Sequence, residues 1–219
     1  MRLKHIMGLR LNSNGMITKD KLKDKIAAAT NINDIETIAD EIMAVPVPWF
    51  FVNHFTQDAN QKFADFKLYM AQKFTTPATN IFICGSALLG YSLSPQKDFA
   101  DFNDKSDIDI VIISKKLFDR FWENYFNDYV LSRLNKVAYT TTAKAVFKRF
   151  IDFHSSYSQN TKIYREWEKQ TSGYQKDLQI IFNFPENVSY RIYRSYIDYK
   201  QNLIKNIYDI KNPYSAEVQ

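Results

Sequence analysis

The chain has 219 residues, 29 Lys and Arg against 24 Asp and Glu, and a formal net charge of +5. An apolar content of 45% beside 24% charged residues is that of a globular domain, which excludes a disordered tail or a fibrous repeat. The single cysteine, Cys84, excludes an intramolecular disulfide, and no apolar run approaches the roughly 18 residues of a membrane span, so a cytoplasmic protein with no membrane partner is expected.

The first fifteen residues, "MRLKHIMGLRLNSNG", lack the apolar centre of a signal peptide. His5, His54 and His154 stand too far apart for a zinc site with one cysteine. "TKDKLKDKIAAAT" and "NDIETIADEIMA" predict two helices, with Asn33 and Glu36 placed as a capping box. Pro46 and Pro48 keep "VPVPWF" out of a helix interior. Ala59, Phe63, Phe66, Met70 and Phe74 recur at three and four, which predicts a helix with one apolar face. "IFIC", Ile81 to Cys84, reads as a short buried strand with Cys84 as a structural thiol. Gly85 and Ser86 make a turn into the short helix "ALLG". Residues 92–105 carry Pro95 and read as a loop, either a flap or a surface insertion. "DIDIVII" enters a second strand.

"KKLFDRFWENYFNDYVLSRL" predicts a helix through Leu117, Phe121 and Tyr125, and "TAKAVFKRFI" a further one. "SYSQNTKIYREWEKQTSGYQ" is polar and ambiguous, with Gly173 near a turn. "DLQIIFNF", Asp177 to Phe184, reads as a third strand ended by Pro185. From Asn187 to about Ile210 a long helix is expected, whose Tyr190, Tyr193, Tyr196 and Tyr199 either stack on bases or pack as a helix face. These elements predict one α+β domain: a small mixed twisted β-sheet flanked by helices, with a helical N-terminal extension over 1–75, a core over 76–219 and a long C-terminal helix.

Asp107 and Asp109 carry the chemistry. Residues two apart on a strand share a face, so the two carboxylates project together. Two like charges side by side repel, and a divalent cation relieves the repulsion with the oxygen ligands that Mg²⁺ and Mn²⁺ prefer. The alternative is a solvated strand end, with the acids paired to Lys105 or Lys115. Between a strand and a helix, Gly85 and Ser86 leave backbone N–H groups that can cradle phosphate, or form an ordinary turn.

Strand, Gly85-Ser86, helix, loop, and then Ser106-Asp107-Ile108-Asp109 entering a strand resembles the nucleotidyltransferase superfamily, which includes DNA polymerase beta, poly(A) polymerases and small bacterial enzymes. The likeness covers a third to a half of the chain, and the twenty residues between Ser86 and Asp107 exceed the link expected of the smallest members. The resemblance implies transfer of a nucleoside monophosphate from an NTP, with two Mg²⁺ or Mn²⁺ ions per site on Asp107 and Asp109, and Gly85, Ser86 and Ser106 at the nucleotide. It also implies a third carboxylate on a neighbouring strand. Asp177 before Leu178 fits that place, or else caps a strand entrance. The acceptor is open: an RNA end, a protein hydroxyl, a small molecule or a nucleotide, with bacterial toxin or phage-defence roles allowed. The competing expectation is a non-catalytic nucleotide- or RNA-binding module on the same fold.

Overall fold

The computed structural model describes residues 16–55, 57–134, 136–152, 161–184 and 188–213. The N-terminal segment, His5, His154 and Pro185 therefore lie outside the described residues. The chain is α+β, with four strands and nine helices among the described residues.

Three helices come first: α1 (Lys19–Ala28), α2 (Ile32–Met43) and α3 (Trp49–His54). The capping box of α2 lies two residues before the predicted one. Asn31 accepts from the N–H groups of Asn33 and Asp34, and Asp34 accepts from the N–H of Asn31. Pro48 is the N-cap of α3, so the proline pair starts a helix instead of interrupting one. α4 (Ala59–Phe74) follows the predicted stripe, with Phe66, Met70 and Phe74 buried. Thr75 ends it in the left-handed region, at φ 50°.

β1 (Ile81–Cys84) and β2 (Ile108–Ile113) pair antiparallel, with Cys84 opposite Asp109. Between them α5 (Ser86–Leu89) is a single turn. The 92–105 loop is anchored as well as exposed. Leu93 and Phe99 are buried, Ser92 N–H donates to the Ala100 carbonyl, and the buried Tyr91 hydroxyl donates to the Ile17 carbonyl.

α6 (Lys115–Val130) buries Phe121 and Tyr125 as expected, with Leu117 half-buried. α7 (Lys136–Phe147) begins before the predicted helix and stops short of its end. Arg149 turns the backbone at φ 59°, and Phe150–Asp152 forms an edge strand, β3, where helix was expected.

Two further expectations are corrected. "DLQIIFNF" is not a strand but the end of α8 (Lys162–Phe182), which runs straight through Gly173. Leu178 and Phe182 are buried four residues apart while Ile180 is 82% exposed, a helical period that the short apolar run conceals when read alone. Residues 188–193 are not helix but β4 (Val188–Tyr193), and α9 (Tyr196–Lys211) follows, its Ser195 cap accepting from Asp198 N–H. Valine, isoleucine and tyrosine at alternate positions favour the strand. The tyrosine series is thereby divided. Tyr190, Tyr193 and Tyr199 are buried, and only Tyr196 reaches solvent, so the series packs instead of forming a stacking stripe.

The mixed sheet has the order β1-β2-β4-β3, with β2 and β4 parallel and both edges antiparallel. Alternation divides its side chains. Ile81, Ile83, Ile108, Ile110, Ile112, Tyr190 and Ile192 face a core shared with Phe66, Met70 and Phe74 of α4 and Trp167 and Leu178 of α8. Leu22, Ile38 and Phe51 belong to that same core, so the N-terminal helices and the sheet are packed as one body. By register the opposite face carries Phe82, Cys84, Asp109, Val111, Ser189, Arg191, Tyr193, Phe150 and Asp152, with Tyr199 of α9 packed over its apolar end. No helix among the described residues is long and apolar enough to cross a membrane.

Candidate functional site

The site lies at the β1–α5 turn and the entrance to β2. Antiparallel pairing of Cys84 with Asp109 brings the next residue, Gly85, against the Asp109 carboxylate. Gly85 has φ +66° and ψ −150°, a conformation open essentially to glycine alone. A Cβ there would stand 2.6 Å from Asp109 Oδ2. The glycine thus serves two needs at once: a backbone turn no other residue accepts, and close approach to a carboxylate. Ser86 opens α5 and keeps its hydroxyl without a hydrogen-bond partner among the described residues.

Asp109 has two partners that sequence reading did not foresee. Ser189 of β4 donates its hydroxyl to Asp109 Oδ1, and Arg191 Nη2 lies 3.4 Å from the same oxygen. Neither Lys105 nor Lys115 is involved, and Lys115 pairs with Asp119 one helical turn on. Recognising "VSYRIY" as a strand would have revealed both partners, since Ser189 sits directly opposite Asp109 with Arg191 two residues on. Arg191 also feels Asp152 across the β3–β4 pair. The guanidinium therefore stands between two acids, with Asp109 only 19% exposed.

Cys84 lies beside them, fully buried as expected. Burial, seconded by the Asp109 charge and opposed by Arg191, pushes its thiol up to about 12. At neutral pH it is a protonated, unreactive group.

Asp107 precedes β2, is exposed, and makes no ion pair among the described residues. Ser106 closes a turn: its hydroxyl accepts from Asn103 N–H at 3.1 Å, and its own N–H donates to the Asn103 carbonyl. Its side chain thus orders the loop before the acids.

Asp177 does not join the site. It lies on α8, in the helix layer over the isoleucine face, whereas Asp109 projects from the other face. Its Oδ2 accepts from the Tyr69 hydroxyl at 2.5 Å and from Lys73 Nζ at 3.1 Å. Those two donors on α4, the tyrosine foremost, hold the carboxyl below the usual carboxylate range. Asp177 therefore clasps α8 to α4.

Asp109 Oδ2 faces the Gly85 turn, while Asp107 stands just ahead of β2 and outside the strand pairing. Their chemistry fits a hard divalent cation. Asp109 Oδ1 is already engaged, and among the described residues no group of three or more His, Cys, Asp or Glu side chains converges. Beyond Ser189, a cavity of about 140 Å³ opens between α8 and β4, lined by Tyr164, Trp167, Glu168 and Tyr190.

No family model matches the chain, and no curated protein or solved structure resembles it closely enough to register as a match.

Proposed function

We propose that the chain binds a nucleoside triphosphate with Mg²⁺ or Mn²⁺ at Gly85, Ser86, Asp107 and Asp109, and transfers the nucleoside monophosphate to an acceptor hydroxyl. The observation that carries the reading is the contact between the Gly85 backbone and the Asp109 carboxylate. Phosphate held by the turn would lie beside a cation held by the acids. Both kinds of group together suit a metal-bound polyphosphate.

Asp107 and Asp109 would hold the ion, which when bound supplies charge neutralisation for the triphosphate and leaving group. The backbone N–H groups after Gly85 would orient the phosphate chain. The acceptor oxygen forms its bond to the α-phosphorus as the bond to the bridging oxygen breaks, pyrophosphate departs, and the hydroxyl proton passes to solvent. With Asp177 elsewhere, positioning and charge account for the rate in this reading. Arg191, next to Asp109, would be free to turn toward a phosphate oxygen once a cation takes over the carboxylate.

One observation favours the second reading, a nucleotide-binding module without catalysis. Asp109 is already balanced by Arg191 and Ser189, so the fold does not require a cation for charge compensation.

A thermal melt tests binding, which both readings share. An NTP at a hundred times its Kd adds about 2.7 kcal/mol, a shift of roughly 5–10 °C for a chain of this size. The shift should need Mg²⁺ or Mn²⁺ and vanish in Asp107→Asn. No shift with any of the four NTPs contradicts both readings.

A further inference from the structure

The hairpin of α6 and α7 exposes an unusual surface. Trp122, Phe126 and Tyr129 lie four and three residues apart on α6, all outside the core at 39%, 50% and 54% exposure. Trp122 and Phe126 stack with planes 6° apart, and Tyr129 stacks on Tyr139 of α7 at 24°. On α7 and just past its end, Lys136, Tyr139, Lys144, Phe147 and Lys148 are exposed together with Val137, so cations and rings share this surface. Phe147 is 87% exposed.

α6 carries Asp119, Glu123 and Asp128, but charge is one-sided from its end through α7. Between Tyr129 and Ile151 the chain has Arg133, Lys136, Lys144, Lys148 and Arg149 and not one acid. Arg133 and Arg149 are paired with Asp128 and Asp198. Lys136, Lys144 and Lys148 make no ion pair among the described residues.

The hairpin is anchored at one end of the sheet. α6 leaves the C-terminal end of β2, and α7 delivers the chain to Phe150, which pairs with Tyr193 at that same end. Both helices pack on the sheet side, α6 on β3 and β4, α7 on β3. Sixteen residues of α6 span about 24 Å. Phe121 and Tyr125 seat α6 on the isoleucine face of the sheet, opposite the face from which Asp109 projects.

We propose that the outward faces of α6 and α7 bind single-stranded RNA. Rings with open faces stack on unpaired bases, and lysines between them meet the phosphates that separate those bases. A duplex hides its base faces, and splayed bases are the ordinary state of RNA loops and ends. A membrane-surface helix would instead need an unbroken apolar face, and on α7 Lys136 and Lys144 interrupt this one.

The test is fluorescence anisotropy of a labelled RNA oligonucleotide of about twelve residues, without NTP or divalent cation. Binding should weaken with salt between about 50 and 200 mM, with a log–log slope near −2 for three phosphate contacts at about −0.7 each. Lys136→Gln, Lys144→Gln and Lys148→Gln together should flatten that slope and weaken binding at least tenfold. Tyr139→Ala and Phe147→Ala should each weaken it about tenfold and keep the slope. All these positions are exposed, so the variants should melt like wild type. RNA bound through the lysines and rings upholds the surface whether or not an NTP labels it. A chain that binds Mg-NTP but not RNA, a triple variant with unchanged affinity, or sedimentation with phosphatidylserine vesicles in the absence of RNA binding overturns the proposal.

Discussion

Gly85→Ala probes the joint on which the site is built. The substitution meets two separate obstacles. The backbone at φ +66° and ψ −150° costs a non-glycine residue about 1–3 kcal/mol. The new methyl carbon would also lie 2.6 Å from Asp109 Oδ2, closer than atoms tolerate, so the carboxylate must move. Asp109 is not free to move cheaply, because Ser189 and Arg191 hold its other oxygen. Disturbing those contacts adds about 1 kcal/mol. The total, about 2–4 kcal/mol, should lower a urea midpoint by about 1 M or more. The two contributions can be separated. In an Asp109→Ala background the methyl group meets no oxygen, and only the backbone cost remains. Denaturation of wild type, both single variants and the double variant should then show a favourable coupling of about 1 kcal/mol. Strict additivity, or a Gly85→Ala loss below about 0.5 kcal/mol, would refute the close approach of turn and carboxylate.

Other consequences follow from the same geometry. Asp109→Asn should lose NTP-dependent stabilisation and also destabilise the empty protein by about 1–2 kcal/mol, since it leaves Arg191 half-buried without its nearest acid; a variant at least as stable as wild type in urea would argue against the pair. Asp177→Asn should leave NTP binding and any transfer intact. It should remove a small stabilisation that is present above the ordinary carboxylate range and is lost as pH falls through the lowered value; loss of transfer without loss of stability would return Asp177 to the site. Cys84 should resist iodoacetamide in the native state at pH 8 and react once unfolded. Its raised value means that stability holds below its ordinary value near 9.0 and declines as pH rises toward about 12; rapid native alkylation would contradict its burial.

Local pattern identified much of this molecule. The stripe of α4, the strands "IFIC" and "IDIVII", and the Gly85-Ser86 turn each rest on residues within one element, and the structure forms them there. A short run that satisfies two periods does not decide between strand and helix. Leu178, Ile180 and Ile181 fit a strand when read over eight residues and a helix when Tyr164, Trp167 and Phe182 are counted with them. Missing that helix also hid β4, because a stretch of tyrosines at three-residue spacing suits either element. The consequence reached the site. Asp109 could be read as an unpaired acid only while its true neighbour strand, with Ser189 and Arg191, was assigned to a helix. Contacts between residues 80 apart in sequence leave no local signature.

Transfer itself gives the most direct test. Wild-type protein should be incubated with each α-labelled NTP, Mg²⁺ or Mn²⁺ and single-stranded RNA, beside Asp107→Asn and Asp109→Asn. The account predicts label covalently attached to the acceptor and pyrophosphate released by wild type alone, dependent on the cation and absent from both variants. NTP binding without any transfer, or label transfer that survives either substitution, would contradict it.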